Sequence, residues 1–254
     1  MDYVANPGLV VDALEPVAHQ ESTRIDVGGV AAPVTDENHR VRLYLSSFRV
    51  GNSPDALLEL LGEGRRTAVI ANACDSFARD ARIESTRQEM ERLAASGLQP
   101  EELDLRDYFG AEPQAVTTAT AGFDLVWLRG GNAFVLRRAL HQSGADVALL
   151  AMLRSDTIVY GGYSAGACVL TPSLRGIEMV DDPNDVPPGY DAAIMWDGLN
   201  VVPYAIAPHY QSDHPESAAV DNLVAHYTEQ RVPFKALRDG QVVVINGDTT
   251  RIEG

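Results

Sequence analysis

The sequence predicts an α/β fold in which a mostly parallel sheet is covered by helices on both faces. Two observations carry that expectation. From Val41 onward, short runs rich in β-branched and aromatic residues alternate with helical patterns. Two of these runs also pass through paired glycines, at Gly130-Gly131 and Gly161-Gly162, directly into helical sequence, the design of a βα connection at the C-terminal edge of a sheet.

The elements follow in order. "VRLYLSSFRV" is the first strand, and "SPDALLELLG" a helix with Ser53 as N-cap, Pro54 at its first position, Leu57, Leu58 and Leu61 on one face and Gly62 as terminator. "RTAVIANA" reads as a second buried strand, the region from about Ser76 to Ser96 as a charged amphipathic helix, and "ELDLR" as a short third strand. "FDLVWL" forms a fourth. Asn132 then caps a helix that buries Val135, Leu136, Ala139 and Leu140. Residues 1–40 lack this rhythm and are punctuated by glycine and proline. They read as an appended arm, packed on the domain or serving dimerisation or substrate covering, with residues 41–254 as a single α/β domain.

Composition narrows the function. No apolar run approaches the roughly 18 to 20 residues that span a bilayer, and the first residues carry acids where a secretory leader carries Lys or Arg. A cytoplasmic protein without a membrane partner is expected. The net charge of −16 opposes docking on phosphate backbones, so nucleic acid is not expected as a partner. Cys74 and Cys168 are too few for a disulfide framework or a cysteine-rich zinc site, and both read as reduced and buried.

The chemistry concentrates in "YGGYSAGACVL". Gly162-Tyr163-Ser164-Ala165-Gly166 fits G-x-S-x-G, a serine on a sharp strand-to-helix turn with its hydroxyl above the sheet. Such a turn places the Ala165 amide where a developing oxyanion can accept from it. In "LRGGNAFVLRRAL", Gly130 and Gly131 leave backbone N–H groups unobstructed, and one of them can complete an oxyanion hole. A base for Ser164 must come from six histidines. His19 and His39 lie in the arm, His141 at a helix end and His226 within a helix, which leaves "IAPHYQSDHPESAAVDNL". There His209 and His214 compete, His209 at a strand end and His214 in the loop. Asp239 is the candidate carboxylate to orient the imidazole, although its Asp-Gly also suits a hairpin turn. Asp213, Glu216, Asp181, Asp182, Asp185, Asp191 and Asp197 stay open as alternatives.

In that order, "LRGGNAFVLRRAL", "YGGYSAGACVL", "APHYQSDHPES" and "LRDGQ" resemble the dipeptidase E and cyanophycinase family of serine peptidases, over about residues 41 to 246. The resemblance implies a class I glutamine-amidotransferase-like fold and a Ser…His…acid order. It makes Ser164 the nucleophile, His214 the base and Asp239, where dipeptidase E has a glutamate, the third member. It further implies oxyanion donors at Gly131 and Ala165, Gly130 and Asn132 near a short peptide substrate, and no cofactor or metal. One departure stands out. Dipeptidase E continues its histidine segment with Gly-Glu-Thr-Arg, whereas "HPESAAVDNL" keeps Glu216 and has no arginine. Strict Asp-X specificity is therefore not implied, unless Arg137, Arg138 or Arg175 supplies the cation. Two other readings share the serine motif, an α/β-hydrolase esterase using Asp191 or Asp197 and a catalytically silent small-ligand-binding protein. Both a monomer and a homodimer fit the sequence.

Overall fold

The structure is a computed structural model that describes residues 41–112 and 114–254. The expected N-terminal arm lies outside the described residues. Its elements run β1 (Arg42–Ser46), α1 (Pro54–Leu61), β2 (Arg66–Ile70), α2 (Arg79–Ala95), β3 (Gln99–Glu102), α3 (Ala115–Thr120), β4 (Leu125–Leu128), α4 (Ala133–Gln142), α5 (Ala145–Arg154), β5 (Val159–Tyr163), α6 (Ala165–Cys168), β6 (Ala205–Ala207), α7 (Ser217–Glu229), β7 (Phe234–Ala236), β8 (Val242–Asn246) and β9 (Thr249–Glu253). Seven strands form one sheet in the order β3-β2-β4-β5-β1-β8-β9. The five strands from β3 to β1 are mutually parallel, and β8 and β9 close the far edge antiparallel.

Both faces of the central strands are buried, which is why they read as near-continuous apolar runs. In β1 the alternation sends Leu43 and Leu45 into the larger core, and Tyr44 into the core that α1 supplies with Leu57 and Leu60. The helix α1 starts at Pro54 as expected, yet Ser53 makes no side-chain cap and the buried face is Ala56, Leu57, Leu60 and Leu61 rather than one through Leu58. The third strand also falls earlier than expected. Pairing with β2 holds Gln99–Glu102 extended, and the "ELDLR" stretch leaves the strand after Glu102 because the Asp104 side chain caps a short 3₁₀ turn at Arg106 N. The cap predicted at Asn132 forms, its Oδ1 accepting from Phe134 N and Val135 N at 2.8 and 3.1 Å.

Most relevant to the site is a second, two-stranded sheet. β6 and β7 pair in parallel, Ala205 opposite Phe234 and Ala207 opposite Ala236. The sequence reading placed a turn between two strand-like runs around Asp239, with a hairpin as the alternative. The structure instead assigns the two runs to different sheets, so "RDGQ" links β7 to β8 rather than closing a hairpin between them.

The junction of β5 and α6 leaves no space for a side chain at Gly166. A Cβ on Gly166 would lie 2.2 Å from the Leu128 carbonyl oxygen of the neighbouring strand, far inside contact distance. Gly166→Ala is expected to lower unfolding stability by about 3 kcal/mol, the upper range for overpacking a rigid core. Denaturant titration followed by circular dichroism checks this, and an unchanged midpoint would show that the junction yields.

Candidate active site

Ser164 sits between β5 and α6 with φ 50° and ψ −117°, a combination that a non-glycine residue holds only when its surroundings impose it. They do so here from both sides. Its amide donates to Ser46 O across to β1 at 3.3 Å, and its carbonyl accepts from Ala167 N and Cys168 N at 2.9 Å each. The expected elbow thus forms, with the serine at the C-terminal edge of the parallel strands.

A cavity of about 130 Å³ opens there, lined by Phe48, Arg129, Gly130, Gly131, Tyr163, Ser164, His209, His214 and Glu216. Gly131 adopts φ 146°, and a Cβ on it would lie 2.5 Å from Ala73 O; only glycine brings the loop this close. Among the described residues no backbone acceptor takes the amide of Gly131 or of Ala165. Both N–H groups are therefore available to an oxyanion, and Ala165 lines the adjoining cleft together with Ser164. Asn132 is placed differently. Its Oδ1 caps α4 and its Nδ2 donates to Asp182 O at 2.9 Å, so both ends of the amide serve the fold, and it is not among the residues lining the cavity.

The two histidines of the β6–α7 segment divide their roles by geometry. His209, two residues beyond β6, is buried and faces Asp239 with Nδ1 to Oδ1 at 2.7 Å. Asp239 follows β7, so the in-register pairing of β6 and β7 delivers His209 and Asp239 to one end of the small sheet. Bonds Leu237 N to Ala207 O and Tyr210 N to Leu237 O, at 2.9 and 3.0 Å, continue that pairing past the strands. His214 stacks face to face on His209, ring centroids 3.7 Å apart and planes 7° apart. Its Nδ1 accepts from Glu216 N at 3.3 Å, which commits that nitrogen to the entry of α7. The carboxylate thus bonds to His209, whereas the sequence reading gave His214 the place beside Asp239.

Three groups unremarked in the sequence complete the site. Ser47, fully buried, accepts from His209 N at 2.8 Å and lies 2.9 Å from Asp239 Oδ1 as donor. Phe48 sets its ring edge to face against both imidazoles, at centroid distances of 5.6 and 5.3 Å. Arg129 brings the cavity a guanidinium. Ser47 and Phe48 belong to no motif with its own signature, and Arg129, within "LRGGNAFVLRRAL", is overshadowed there by its glycines; the doubled serine at the end of β1 could have drawn attention, as polar residues closing a buried strand.

Electrostatics favour a neutral imidazole at rest. Burial pushes the His209 pKa below its ordinary value; the hydrogen bond to Asp239 opposes this, and the neighbouring His214 adds to the lowering. Cys168 is buried and its thiol is pushed upward by burial, as is that of Cys74, to about 11. Neither thiol has thiolate character near neutrality. The donor atoms of His209, His214 and Glu216 all lie within 4.8 Å of one another. Because the imidazoles are stacked, however, their in-plane lone pairs run side by side instead of converging on one point, unlike a tetrahedral metal site.

The arrangement brings a serine, a histidine and a carboxylate to one end of a parallel α/β sheet, the residue types of a Ser–His–acid site. The chain itself belongs to peptidase family S51, whose model matches residues 49–253, and the resemblance to the dipeptidase E family is borne out. It is 33% identical over 136 residues to peptidase E of Streptomyces coelicolor, covering 52% of each chain. It is 28% identical over 134 residues to a Drosophila melanogaster protein named as a probable alpha-aspartyl dipeptidase, covering 51% of this chain and 52% of that one. The chain spans about half the length of these curated relatives. Among solved structures, a Listeria monocytogenes protein provisionally named peptidase E shares the fold, with TM-score 0.65 and 24% identity over 84% of this chain and 98% of that one. Among the described residues no helix is long and apolar enough to cross a membrane.

Asp181 offers a test of the cleft's electrostatics. It lines the cleft beside Ser164 and accepts from Ala133 N at 2.8 Å; burial nevertheless raises its pKa from 3.8 to about 7. A carboxyl harder to ionise in the folded state is stabilising in relative terms at low pH, and that contribution is lost as pH rises from about 4 through 7. Asp181→Asn keeps an acceptor for Ala133 N and removes the charge. Its stability relative to the parent, followed through thermal melting, is expected to be higher at pH 8 than at pH 4 by on the order of 1–2 kcal/mol after allowance for partial exposure. Equal differences at the two pH values would place the Asp181 carboxylate in water.

Proposed function

We propose that the protein is a serine peptidase of short peptides, resembling dipeptidase E, that works through an acyl-enzyme on Ser164. His209 is the general base, in place of the expected His214, and Asp239 is its orienting acid. The observation that carries this reading is the 2.7 Å contact between His209 Nδ1 and Asp239 Oδ1. It fixes the neutral tautomer with the proton on Nδ1, leaving the Nε2 lone pair for the serine hydroxyl.

Nε2 takes the hydroxyl proton as Oγ attacks the scissile carbonyl carbon, and the carbonyl oxygen becomes the oxyanion held by the amides of Gly131 and Ala165. Collapse breaks the C–N bond, and the imidazolium returns its proton to the departing amine. Water then repeats the sequence on the ester, giving the free acid and restoring Ser164. Asp239 stays ionised throughout and stabilises the imidazolium. Each step is carried by groups of this chain and water.

The order of the residues supports this reading over an α/β-hydrolase esterase, in which the acid precedes the histidine in the chain. Of the candidates for that role, Asp197 offers its backbone carbonyl to Arg137, and Asp191 lines a separate cavity with Arg138 and His141. A silent binding protein is distinguished by a fluorophosphonate probe, which labels Ser164 only if the serine is activated. A cytoplasmic setting fits the reading.

Ser164→Ala is expected to abolish hydrolysis of dipeptides while preserving the fold, and His209→Ala to lower kcat by about 10³-fold or more. His214→Ala should cost far less. Retention of activity in the His209 variant together with its loss in the His214 variant would return the base to His214. The acidic limb of the kcat/KM profile should fall below pH 6.5, because the buried His209 is harder to protonate than a free histidine. Asp239→Asn removes the interaction that raises the His209 pKa, so it should move this limb to still lower pH while reducing kcat. A limb that stayed in place would separate Asp239 from the base.

A further inference from the structure

We propose that Arg129 is the carboxylate receptor of the active-site cavity. The inference rests on Ser164 being the reacting centre and names the chemistry of what binds beside it. The three arginines considered as replacements for the missing helix arginine are all engaged elsewhere. Arg137 pairs with Asp146 at 3.1 Å and donates to Asp197 O at 2.9 Å. Arg138, buried, donates to the carbonyls of Pro183 and Ala193 at 2.7 and 3.0 Å. Arg175 lies over the Trp196 ring at 4.4 Å. None of them lines the cavity.

Arg129 does. It occupies the first position after β4, immediately before the two glycines of the oxyanion loop, and shares the cavity with Ser164. Its Nη1 donates to Gly130 O at 2.7 Å and touches the Cys74 sulfur. That thiol stays neutral, since burial pushes it to about 11. No carboxylate among the described residues forms an ion pair with Arg129, and its Nε is buried without any hydrogen-bond partner. An arginine that lines the Ser164 cavity with one nitrogen tethered, its Nε unpartnered and no carboxylate paired to it among the described residues calls for an anion. The guanidinium geometry suits a planar carboxylate, which it can engage with two parallel N–H groups.

The other charged and titratable groups around the cavity do not compete for that role. Glu216 is drawn toward the histidines, 3.9 Å from both His209 Nε2 and His214 Nδ1. Asp181 lines the adjoining cleft, and Glu216 lines both that cleft and the cavity that holds Arg129, so the acids gather toward the cleft and the cation lies in the main cavity. A zwitterionic short peptide meets matched polarity in such a site, its carboxylate at Arg129 and its ammonium toward the acids. The carboxylate can come from an acidic first side chain or from the free C-terminus of a dipeptide.

Calorimetric titration of the full-length Ser164→Ala protein, which binds substrate without consuming it, separates these sources. The probes are Asp-Leu, Asn-Leu and Asp-Leu amide. The dissociation constant for Asp-Leu is expected to rise about 10- to 100-fold when Arg129→Gln is added, the range for losing a charged hydrogen-bonded pair, and less with Arg129→Lys, which keeps the charge. On the unmutated pocket, Asn-Leu shows the same loss if the side chain is read, and Asp-Leu amide if the terminus is. An Asp-Leu affinity that ignores Arg129→Gln, an equal loss for all three peptides, or no difference among the peptides on the unmutated pocket would overturn the proposal. Binding is read without catalysis, so the two readings fail separately. If the parent enzyme hydrolyses none of these peptides while Arg129-dependent binding persists, the peptidase reading falls and the receptor stands.

Discussion

The site depends on the end of β1. Ser46 and Ser47 are both fully buried there, and each joins parts of the chain that are far apart in sequence. The Ser46 carbonyl receives the Ser164 amide, which holds the strained elbow against the central sheet. The Ser47 hydroxyl accepts from the His209 amide and bonds to the Asp239 carboxylate, which holds the small β6–β7 sheet against the same point. Ser164, His209 and Asp239, the proposed nucleophile, base and acid, are thereby referenced to two consecutive residues at the end of one central strand. Rigid reference of this kind is what acyl transfer needs, because a displacement of an ångström between reacting groups costs a large part of the rate.

The electrostatic design follows from that packing. His209 is buried by its own pairing, by Phe48 and by the ring of His214, and the resulting desolvation keeps it neutral and able to accept a proton. Asp239 works against that desolvation, so its contribution is largest when the imidazole becomes charged. His214 then has an intelligible place outside proton transfer. Its flat face covers His209, while its Nδ1 accepts the Glu216 amide next to the start of α7.

Much of this was legible in the sequence, and the limits have a common physical cause. The parallel α/β architecture, the elbow at Ser164, the cap at Asn132 and the glycines at the sheet edge are local, since each depends on residues within a few positions and carries its own pattern. The choice between His209 and His214 is not local. It depends on β6 pairing with β7 in one register and on Asp239 belonging to the strand end rather than to a hairpin, and three-residue strands give almost no periodic signal. Arg129 was hidden for a similar reason. It follows an ordinary buried strand, and what distinguishes it, a side chain on the Ser164 cavity with an unpartnered Nε, is set by the fold.

Register also resolves the length of the acid. An aspartate reaches about one methylene less far than a glutamate, so its backbone must stand nearer the imidazole. The structure meets this requirement through the path of the chain after the paired strands. Ala207 and Ala236 are opposite each other, His209 turns inward two residues later with φ 62°, and Asp239 arrives three residues later with its amide donating to Ser212 Oγ at 2.8 Å. The left-handed backbone of His209 and the tether at Asp239 N act on opposite sides of the same contact. A carboxylate placed this way makes a 2.7 Å hydrogen bond with the shorter side chain. A glutamate would have to fold back to make it, at a cost in side-chain entropy and packing.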